Sequence, residues 1–286
     1  MKDYIQLGKD ALDSYDFLNA QKYFNAALEK SLDSYELFLF LGILNNYLKH
    51  FDVAHMWFDK AINLDSTRSE AFFGKAKIYN SYDDATNLIE YLNLVLKKEP
   101  SHDGAHLMLA KYYEKSGNYP AAIGSYFAVI NLTGDTFDIC FSLSLIYNEI
   151  NNNAYALEFI DRALRIEPHN YKALFNRGVI FQKMGFPEKA CSSYIECFTA
   201  NPNYIPSYIN LSSIYCQYNQ VSKAFNIINR GIFQNPETAE LIFNRAILNA
   251  LTNNKDATYE DIESCITLDS NYIDKIRNHD LLKHFH

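Results

Sequence analysis

The residues that could ligate a metal or act as nucleophiles are few and scattered in this sequence. His102 and His106 are four residues apart, a spacing that puts two imidazoles on one face of a helix, but no third ligand lies near them. They straddle a predicted helix start, so we interpret them as solvated residues at a helix entry. No G-x-S-x-G, H-E-x-x-H or glycine-rich phosphate loop occurs. We therefore predict no catalytic residue, no metal and no cofactor.

Charge and composition narrow the class of protein. Five cysteines, an odd number without a C-x-x-C pair, are typical of a reducing compartment. The net charge of −8 argues against nucleic-acid binding, which needs a basic face. No apolar run approaches the roughly 20 residues that cross a membrane, and the first residues lack the apolar segment of a secretory signal. We predict a cytoplasmic, non-enzymatic protein that neither binds nucleic acid nor inserts into a membrane.

Two lysines form a basic pattern in this acidic chain. Lys77 and Lys111 are 34 residues apart, and Lys115 lies one helical turn beyond Lys111. Such a patch could receive an acidic side chain or a carboxylate from a partner. A solvated helix face explains the same residues equally well.

The spacing between those lysines is the period of the whole chain. Frames of 34 residues begin, without any insertion, at Met1, Tyr35, Ser69, Asp103, Phe137, Tyr171, Ile205 and Ala239. In every frame the eighth position is Gly, Ala or Ser, the twenty-fourth is large and the twenty-seventh is compact. The apolar spacing within a frame predicts two amphipathic helices, with Gly117 and Pro120 marking one of the turns between them. Small residues at a fixed position indicate that another helix must approach closely there.

The organisation that follows is a single array with a terminal cap. Eight frames fill residues 1–270, which leaves no segment for a separate catalytic domain. Residues 271–286 carry apolar side chains near helical spacing, and we predict a capping helix over the eighth frame. A short linear motif for a partner is the alternative for this segment.

The clearest frame, from Tyr171 to Pro202, resembles the tetratricopeptide-repeat family. It has Leu174, Gly178, Phe181, Ala190 and Tyr194 at the spacing of that family's repeat. The resemblance implies an all-α fold, a right-handed α-solenoid of antiparallel helix pairs. It also implies a scaffold that binds a peptide or helix of another protein in a concave groove. In such proteins positions 2, 5, 6, 9, 12 and 13 of the first helix face that groove.

Two of these positions supply most of the candidate contacts. The fifth position is apolar in all eight frames, and its members Phe141, Phe175, Ile209 and Phe243 could form the floor of a peptide site. Packing between neighbouring first helices is the alternative. The sixth position becomes asparagine in the last three frames, at Asn176, Asn210 and Asn244.

An asparagine offers a donor and an acceptor, so three of them one repeat apart could hold a peptide backbone. This series is similar to the asparagine ladder of O-GlcNAc transferase, although polar residues on a wet wall would look the same. With Lys77 and Lys111, these residues are the predicted peptide-binding site.

Other roles stay open at the level of sequence. The carboxylate clamp that some tetratricopeptide-repeat proteins use for chaperone C-termini is absent, because the fifth position is never lysine. A co-chaperone role is therefore disfavoured. Self-association into a homo-oligomer and sensing of a small signalling peptide are the alternatives to a scaffold.

Overall fold

The computed structural model describes residues 3–30 and 33–285. Met1, where the first frame begins, and His286, where the predicted cap ends, lie outside the described residues. The described ranges contain seventeen α-helices and no strand. The helices are α1 Tyr4–Asp13, α2 Phe17–Glu29, α3 Tyr35–Tyr47, α4 Phe51–Leu64, α5 Glu70–Ser81, α6 Ala85–Lys98, α7 Asp103–Lys115, α8 Tyr119–Thr133, α9 Phe137–Glu149, α10 Asn153–Ile166, α11 Tyr171–Lys183, α12 Pro187–Ala200, α13 Ile205–Gln217, α14 Val221–Gln234, α15 Ala239–Leu251, α16 Lys255–Leu268 and α17 Tyr272–Asn278.

Two compact units divide the chain, unit 1 at residues 1–134 and unit 2 at residues 135–286. Unit 1 contains α1 to α8, and unit 2 contains α9 to α17. Within each unit the two helices of a repeat pack against each other, and the second packs against the first helix of the next repeat. The predicted all-α class and the α-solenoid architecture of helix pairs are confirmed.

The turn inside every repeat has one backbone geometry. The residue at position 15 has a φ between 57° and 76°, in the left-handed region. The amide of position 16 donates to the carbonyl of position 11 at 2.8–3.0 Å, and the amide of position 15 donates to position 12. These two bonds are a Schellman motif, which satisfies the last carbonyls of the first helix. The residues at position 15 are Tyr15, Lys49, Asp83, Gly117, Asn151, Gly185, Asn219 and Asn253.

Position 16 has a second role, because it is also the N-cap of the next helix. The Asp16 carboxylate accepts from the Asn19 amide at 3.1 Å, and the Asp84 carboxylate accepts from the Asn87 amide at 3.2 Å. A side-chain acceptor here satisfies one of the unpaired amides at a helix start. One residue therefore closes the first helix and opens the second.

Small residues at position 8 make room for the large residue at position 24, which accounts for the close helix approach that they predict. A Cβ added to Gly178 would lie 2.6 Å from the Tyr194 ring, and one added to Gly42 would lie 2.5 Å from the Phe58 ring. Both rings are fully buried. At Ser144 the hydroxyl instead donates to the Ala156 carbonyl at 2.8 Å, so this small side chain also ties the two helices together.

The end of unit 2 is covered by the last helix and the turns that follow it. Tyr272, Ile276 and Leu282 are buried and pack against apolar residues of α15 and α16. Helix α17 ends at Asn278, well before the end of the segment in which the cap is predicted, and turns continue to His284. Burial of these side chains shields the apolar face that the eighth repeat would otherwise expose.

Candidate functional site

In unit 2, Phe175 and Ile209 stand at the fifth position of α11 and α13. The Phe175 ring is half-buried and meets the Tyr194 ring at 5.5 Å and the edge of Tyr204 at 5.2 Å between centroids. Ile209 is half-buried against the same apolar cluster. Both side chains therefore pack against apolar neighbours and keep an exposed part, and their role in binding stays a prediction.

The other two aromatic residues of this column have different neighbours. Phe141 stacks on Phe137, one turn earlier on α9, with centroids 5.5 Å apart. Phe243 lies against Tyr272 at 5.2 Å and against the edge of the His279 ring at 5.8 Å. The terminal segment thus supplies to Phe243 the neighbours that a further repeat would supply, and this leaves less of the ring for a partner.

The three asparagines of unit 2 direct their amide nitrogens in two ways. Asn176 donates back to the Lys172 carbonyl at 2.8 Å, and Asn244 donates back to the Glu240 carbonyl at 2.7 Å, each within its own helix. Asn210 donates to the Tyr194 hydroxyl at 3.2 Å. Their side-chain oxygens accept no hydrogen bond from the described residues. Each amide thereby uses one of its two N–H groups within the fold, and it keeps its oxygen and its second N–H for other hydrogen bonds.

Lys77 and Lys111 occupy the ninth position of α5 and α7 in unit 1. The Lys77 ammonium lies 4.6 Å over the Phe73 ring, one turn earlier on the same helix. Lys77 keeps an exposed surface, but the surrounding walls remove water from its amine, and this burial lowers its pKa below the ordinary value. Lys111 is exposed and makes no ion pair with a described residue. Lys115 pairs with Asp83 at 2.8 Å, but both side chains are largely exposed, so the pair adds little stability.

Lys77 also lines a cavity of about 490 Å³ in unit 1, a volume within the range of ligand sites. Most of its lining comes from α1, α3 and α5, at the positions that the family resemblance assigns to a groove. These are Glu70 at position 2, Leu39 and Phe73 at 5, Phe40 and Gly74 at 6, Ile43 and Lys77 at 9, Leu12 and Asn46 at 12, and Asp13 and Tyr47 at 13. Tyr15, Phe58 and His102 complete the lining.

The aromatic part of this cavity was not singled out from the sequence. Tyr15 and Tyr47 are exposed, and their rings meet edge to face with centroids 6.0 Å apart. Tyr47 also stacks on Phe17 at 5.5 Å. The signal was present, because Phe40 and Tyr47 occupy groove positions, but the series of asparagines in the later repeats was the more regular pattern. In unit 2 a cavity of about 680 Å³ contains none of the predicted site residues.

The histidine pair has structural roles. The His102 Nδ1 accepts from the Ala105 amide at 3.1 Å as the N-cap of α7, and its ring lies 4.4 Å from that of Phe73. The His106 Nε2 is 2.9 Å from the Pro100 carbonyl, so this nitrogen carries a proton and donates. Within residues 3–30 and 33–285, no group of three or more His, Cys, Asp or Glu is arranged to hold a metal ion.

The buried cysteines have the surroundings of packing residues. The Cys197 thiol donates to the Tyr171 carbonyl at 3.2 Å, and the Cys265 thiol donates to the Ala239 carbonyl at 3.4 Å. Burial raises the pKa of both thiols to about 11, which keeps them protonated and unreactive.

No helix in the described part of the chain is long and apolar enough to cross a membrane.

Comparison with known proteins points to one family. Residues 171–204 match the family model "Tetratricopeptide repeat". The human "Tetratricopeptide repeat protein 6" is 24% identical over 213 residues, which is 73% of this chain and 41% of that protein. The chain therefore spans about two fifths of the length of such a curated relative.

Solved structures share the fold at low sequence identity. The C-terminal part of a TPR repeat-containing protein from Cytophaga hutchinsonii aligns with a TM-score of 0.72 and 15% identity, covering 84% of this chain and 98% of that one. YrrB, described as a TPR protein with an unusual peptide-binding site, aligns with a TM-score of 0.55 and 17% identity over 63% of this chain and 92% of its own.

Proposed function

We propose that this chain, a protein built from tetratricopeptide repeats, is a scaffold whose first helices hold a segment of a partner protein. Tetratricopeptide-repeat proteins are in general non-enzymatic scaffolds that bind other proteins. The observation that carries the finer proposal is the cavity of unit 1, because six positions of three successive first helices converge on it. Side chains of one repeat alone would form no such concavity.

The chemistry of the lining favours a peptide segment as the occupant. Aromatic faces of Phe40, Phe73 and Tyr47 offer large apolar contact area, which supplies most of the energy in peptide recognition. Asn46 and Lys77 add polar groups that can fix the orientation of a bound chain. The peptide-binding site ascribed to YrrB is compatible with this use of the fold.

A second contact row belongs to the proposal in unit 2. Phe141, Phe175 and Ile209 would supply apolar contacts, with a smaller share from Phe243 beneath the terminal segment. Asn176, Asn210 and Asn244 would accept hydrogen bonds from the amides of an extended partner chain. Lys111 would contribute charge from unit 1.

The setting of the protein is also part of the proposal. The described cysteines are all free thiols, as expected in the reducing cytoplasm. The acidic balance of the chain makes a protein partner more suitable than a nucleic acid. In any longer protein that contains them, these repeats would contribute the binding of a partner segment.

Photo-crosslinking tests the scaffold proposal in unit 1. A benzophenone side chain replaces Tyr47, which is exposed beside the cavity, and in a control it replaces Tyr155, which is exposed on the second helix α10. The probes are peptides selected on the wild-type protein from a random dodecapeptide library displayed on phage. Crosslinking at position 47 and little at position 155 is the expected result. Failure to select any peptide above background, or equal crosslinking at both positions, would reject the proposal.

Alanine substitution tests the row in unit 2. Asn176 and Asn244 donate only within their own helices, so replacing both with alanine should leave the melting temperature unchanged. Peptides that bind along this row should then lose affinity. Unchanged affinity for every selected peptide would show that the asparagines are polar residues without a binding role.

A further inference from the structure

Lys77 is an exposed ammonium group without a carboxylate partner, and its side chain lines the cavity of unit 1. Its amine contacts the face of the Phe73 ring, and no described carboxylate lies within ion-pair distance of it. Glu70 lines the same cavity but is already engaged, since Arg68 pairs with it at 2.8 Å and the Tyr35 hydroxyl donates to it at 3.2 Å. The cavity therefore contains a positive charge that is stabilised by a ring and by the water that remains.

The electrostatic state of Lys77 agrees with this arrangement. Burial lowers the pKa of the amine, and no neighbouring carboxylate contributes to raise it. The contrast is Lys75 on the same helix, where burial acts to lower the lysine pKa but hydrogen bonding to Asp59, at 2.7 Å, and to Tyr91 raises it overall. A bound anion would give Lys77 an ion-pair partner, as Asp59 does for Lys75.

The surface next to Lys77 is apolar. Gly74 lies one turn before Lys77 on α5 and lets the buried Phe58 ring pack against the helix, because a Cβ there would stand 2.4 Å from that ring. Phe40, Phe58 and Phe73 all line the cavity together with Lys77. An aromatic or large aliphatic side chain of a partner would bury its surface on these rings, at roughly 25 cal/mol for each Å² removed from water.

We infer that the cavity of unit 1 recognises a peptide segment in which a large apolar side chain lies close to an Asp or Glu. The apolar side chain rests on Phe40 and Phe73, and the carboxylate pairs with the Lys77 ammonium. The inference depends on the proposed function, because it names the class of partner for that same groove. Lys77 rather than Lys111 is the partner of this acidic side chain, because Lys77 lines the cavity beside Phe40 and Phe73 and Lys111 is not part of that lining.

The remaining charge of the cavity limits the kind of anion that fits. Asp13 also lines the cavity, and its charge is opposite to that of Lys77. The chain as a whole carries a net charge of −8. These negative charges would repel a polyphosphate or a nucleic acid, which would gain only one ammonium group as an ion-pair partner. A single carboxylate attached to an apolar anchor gains the ion pair and the apolar contact together, so a peptide acid is the better match.

Peptide selection with three proteins tests the inference. A phage-displayed random dodecapeptide library is selected on the wild type, on Lys77→Met and on Lys111→Met. Methionine keeps the length of the lysine stem over Phe73 and removes the charge, so the fold should persist, and helical circular dichroism checks this for each variant. The wild type and Lys111→Met should enrich Asp or Glu near a Phe, Leu, Tyr or Trp, whereas Lys77→Met should keep the apolar preference and lose the acidic one.

Affinity measurements then test the contact itself. Fluorescence anisotropy compares one enriched peptide with its analogue that has Gln or Asn in place of the acid. The acid should improve binding to the wild type and to Lys111→Met by about tenfold, the lower limit expected for a hydrogen bond to a charged group, and should bring no gain with Lys77→Met. Asp13→Asn should hold the acidic peptide at least as tightly as the wild type does. The Lys77 pKa, followed by NMR with isotope-labelled lysine, should rise when the peptide binds.

The outcomes separate this inference from the broader proposal. If peptides are selected and crosslink at position 47 but show no acidic preference, the inference is wrong and the groove function stands. If the gain from the acid is the same with Lys77→Met as with the wild type, the inference is wrong as well. If no protein selects any peptide, the proposed function itself has failed.

Discussion

The pair of glycines at Gly178 and Gly124 allows one substitution to be tested in two environments. Both lie inside helices, Gly178 in α11 and Gly124 in α8. A Cβ on Gly178 would stand 2.6–2.9 Å from three atoms of the Tyr194 ring, whereas a Cβ on Gly124 would meet nothing within 4 Å. We expect Gly124→Ala to stabilise its repeat and Gly178→Ala to destabilise its own.

The magnitude follows from two opposing effects. Replacing glycine with alanine in a helix interior contributes about 1 kcal/mol of stability at either position. At Gly178 the buried Tyr194 ring would have to move, yet its hydroxyl donates to Gln182 at 3.1 Å and accepts from Asn210 at 3.2 Å. Overpacking of this kind costs about 1–3 kcal/mol. The net effect at Gly178 is therefore a loss of up to about 2 kcal/mol, against a gain of up to about 1 kcal/mol at Gly124.

Native-state hydrogen exchange is the suitable assay, because repeats open locally and a single unfolding midpoint would average over them. Amides of α11 and α12 should exchange faster in Gly178→Ala, and amides of α8 should exchange more slowly in Gly124→Ala. In a Tyr194→Leu background, Gly178→Ala should reduce protection less than it does in the wild type, since the smaller side chain removes the clash. If the two glycine substitutions changed protection with the same sign, the close packing of position 8 against position 24 would be refuted.

Three further predictions concern other parts of the chain. Arg245→Met should destabilise unit 2 by about 3 kcal/mol in urea unfolding, because it leaves the buried Asp261 carboxylate, which Arg245 contacts at 2.6 Å, with Asn249 alone; Arg245→Lys should lose less. Lys49→Asn should stabilise the second repeat by about 1 kcal/mol in the same assay, because asparagine tolerates the left-handed backbone at φ 60° better than lysine. Maleimide at pH 8 should label the half-exposed Cys191 and Cys216 first. Mass spectrometry should find little label before unfolding on the three buried thiols, Cys140, Cys197 and Cys265, because burial raises the pKa of each to about 11.

The repeat architecture could be predicted from the sequence because its packing is set by side-chain size at fixed positions. Gly178 beside Tyr194, and Gly42 beside Phe58, are contacts within one repeat, so a period of small and large residues is enough to find them. The turns were less visible. Gly117 signals a left-handed residue, but Tyr15 and Lys49 adopt the same backbone only because the helices on both sides require it.

The candidate site was harder to predict because it depends on side-chain rotamers and on neighbours outside the period. Asn176 and Asn210 are the same residue type at the same repeat position, yet the Asn176 amide donates within its own helix and the Asn210 amide donates to Tyr194. Phe243 follows the apolar column, but the terminal segment covers part of it. The cavity of unit 1 combines side chains of three successive first helices with Tyr15, Phe58 and His102, a set that no single position of the period identifies.

The residue shared by two helices at position 16 explains why the spacing between the two helices of a repeat is the same in all eight frames. Because that residue ends one helix and begins the next, the turn contains no spare residue that could absorb an insertion. One added residue would rotate the apolar stripe of the second helix by about 100° away from its neighbours. Length changes within a pair are thus closed to evolution and to protein engineers alike, and new sequence can enter this array only in whole repeats or at the junctions between them.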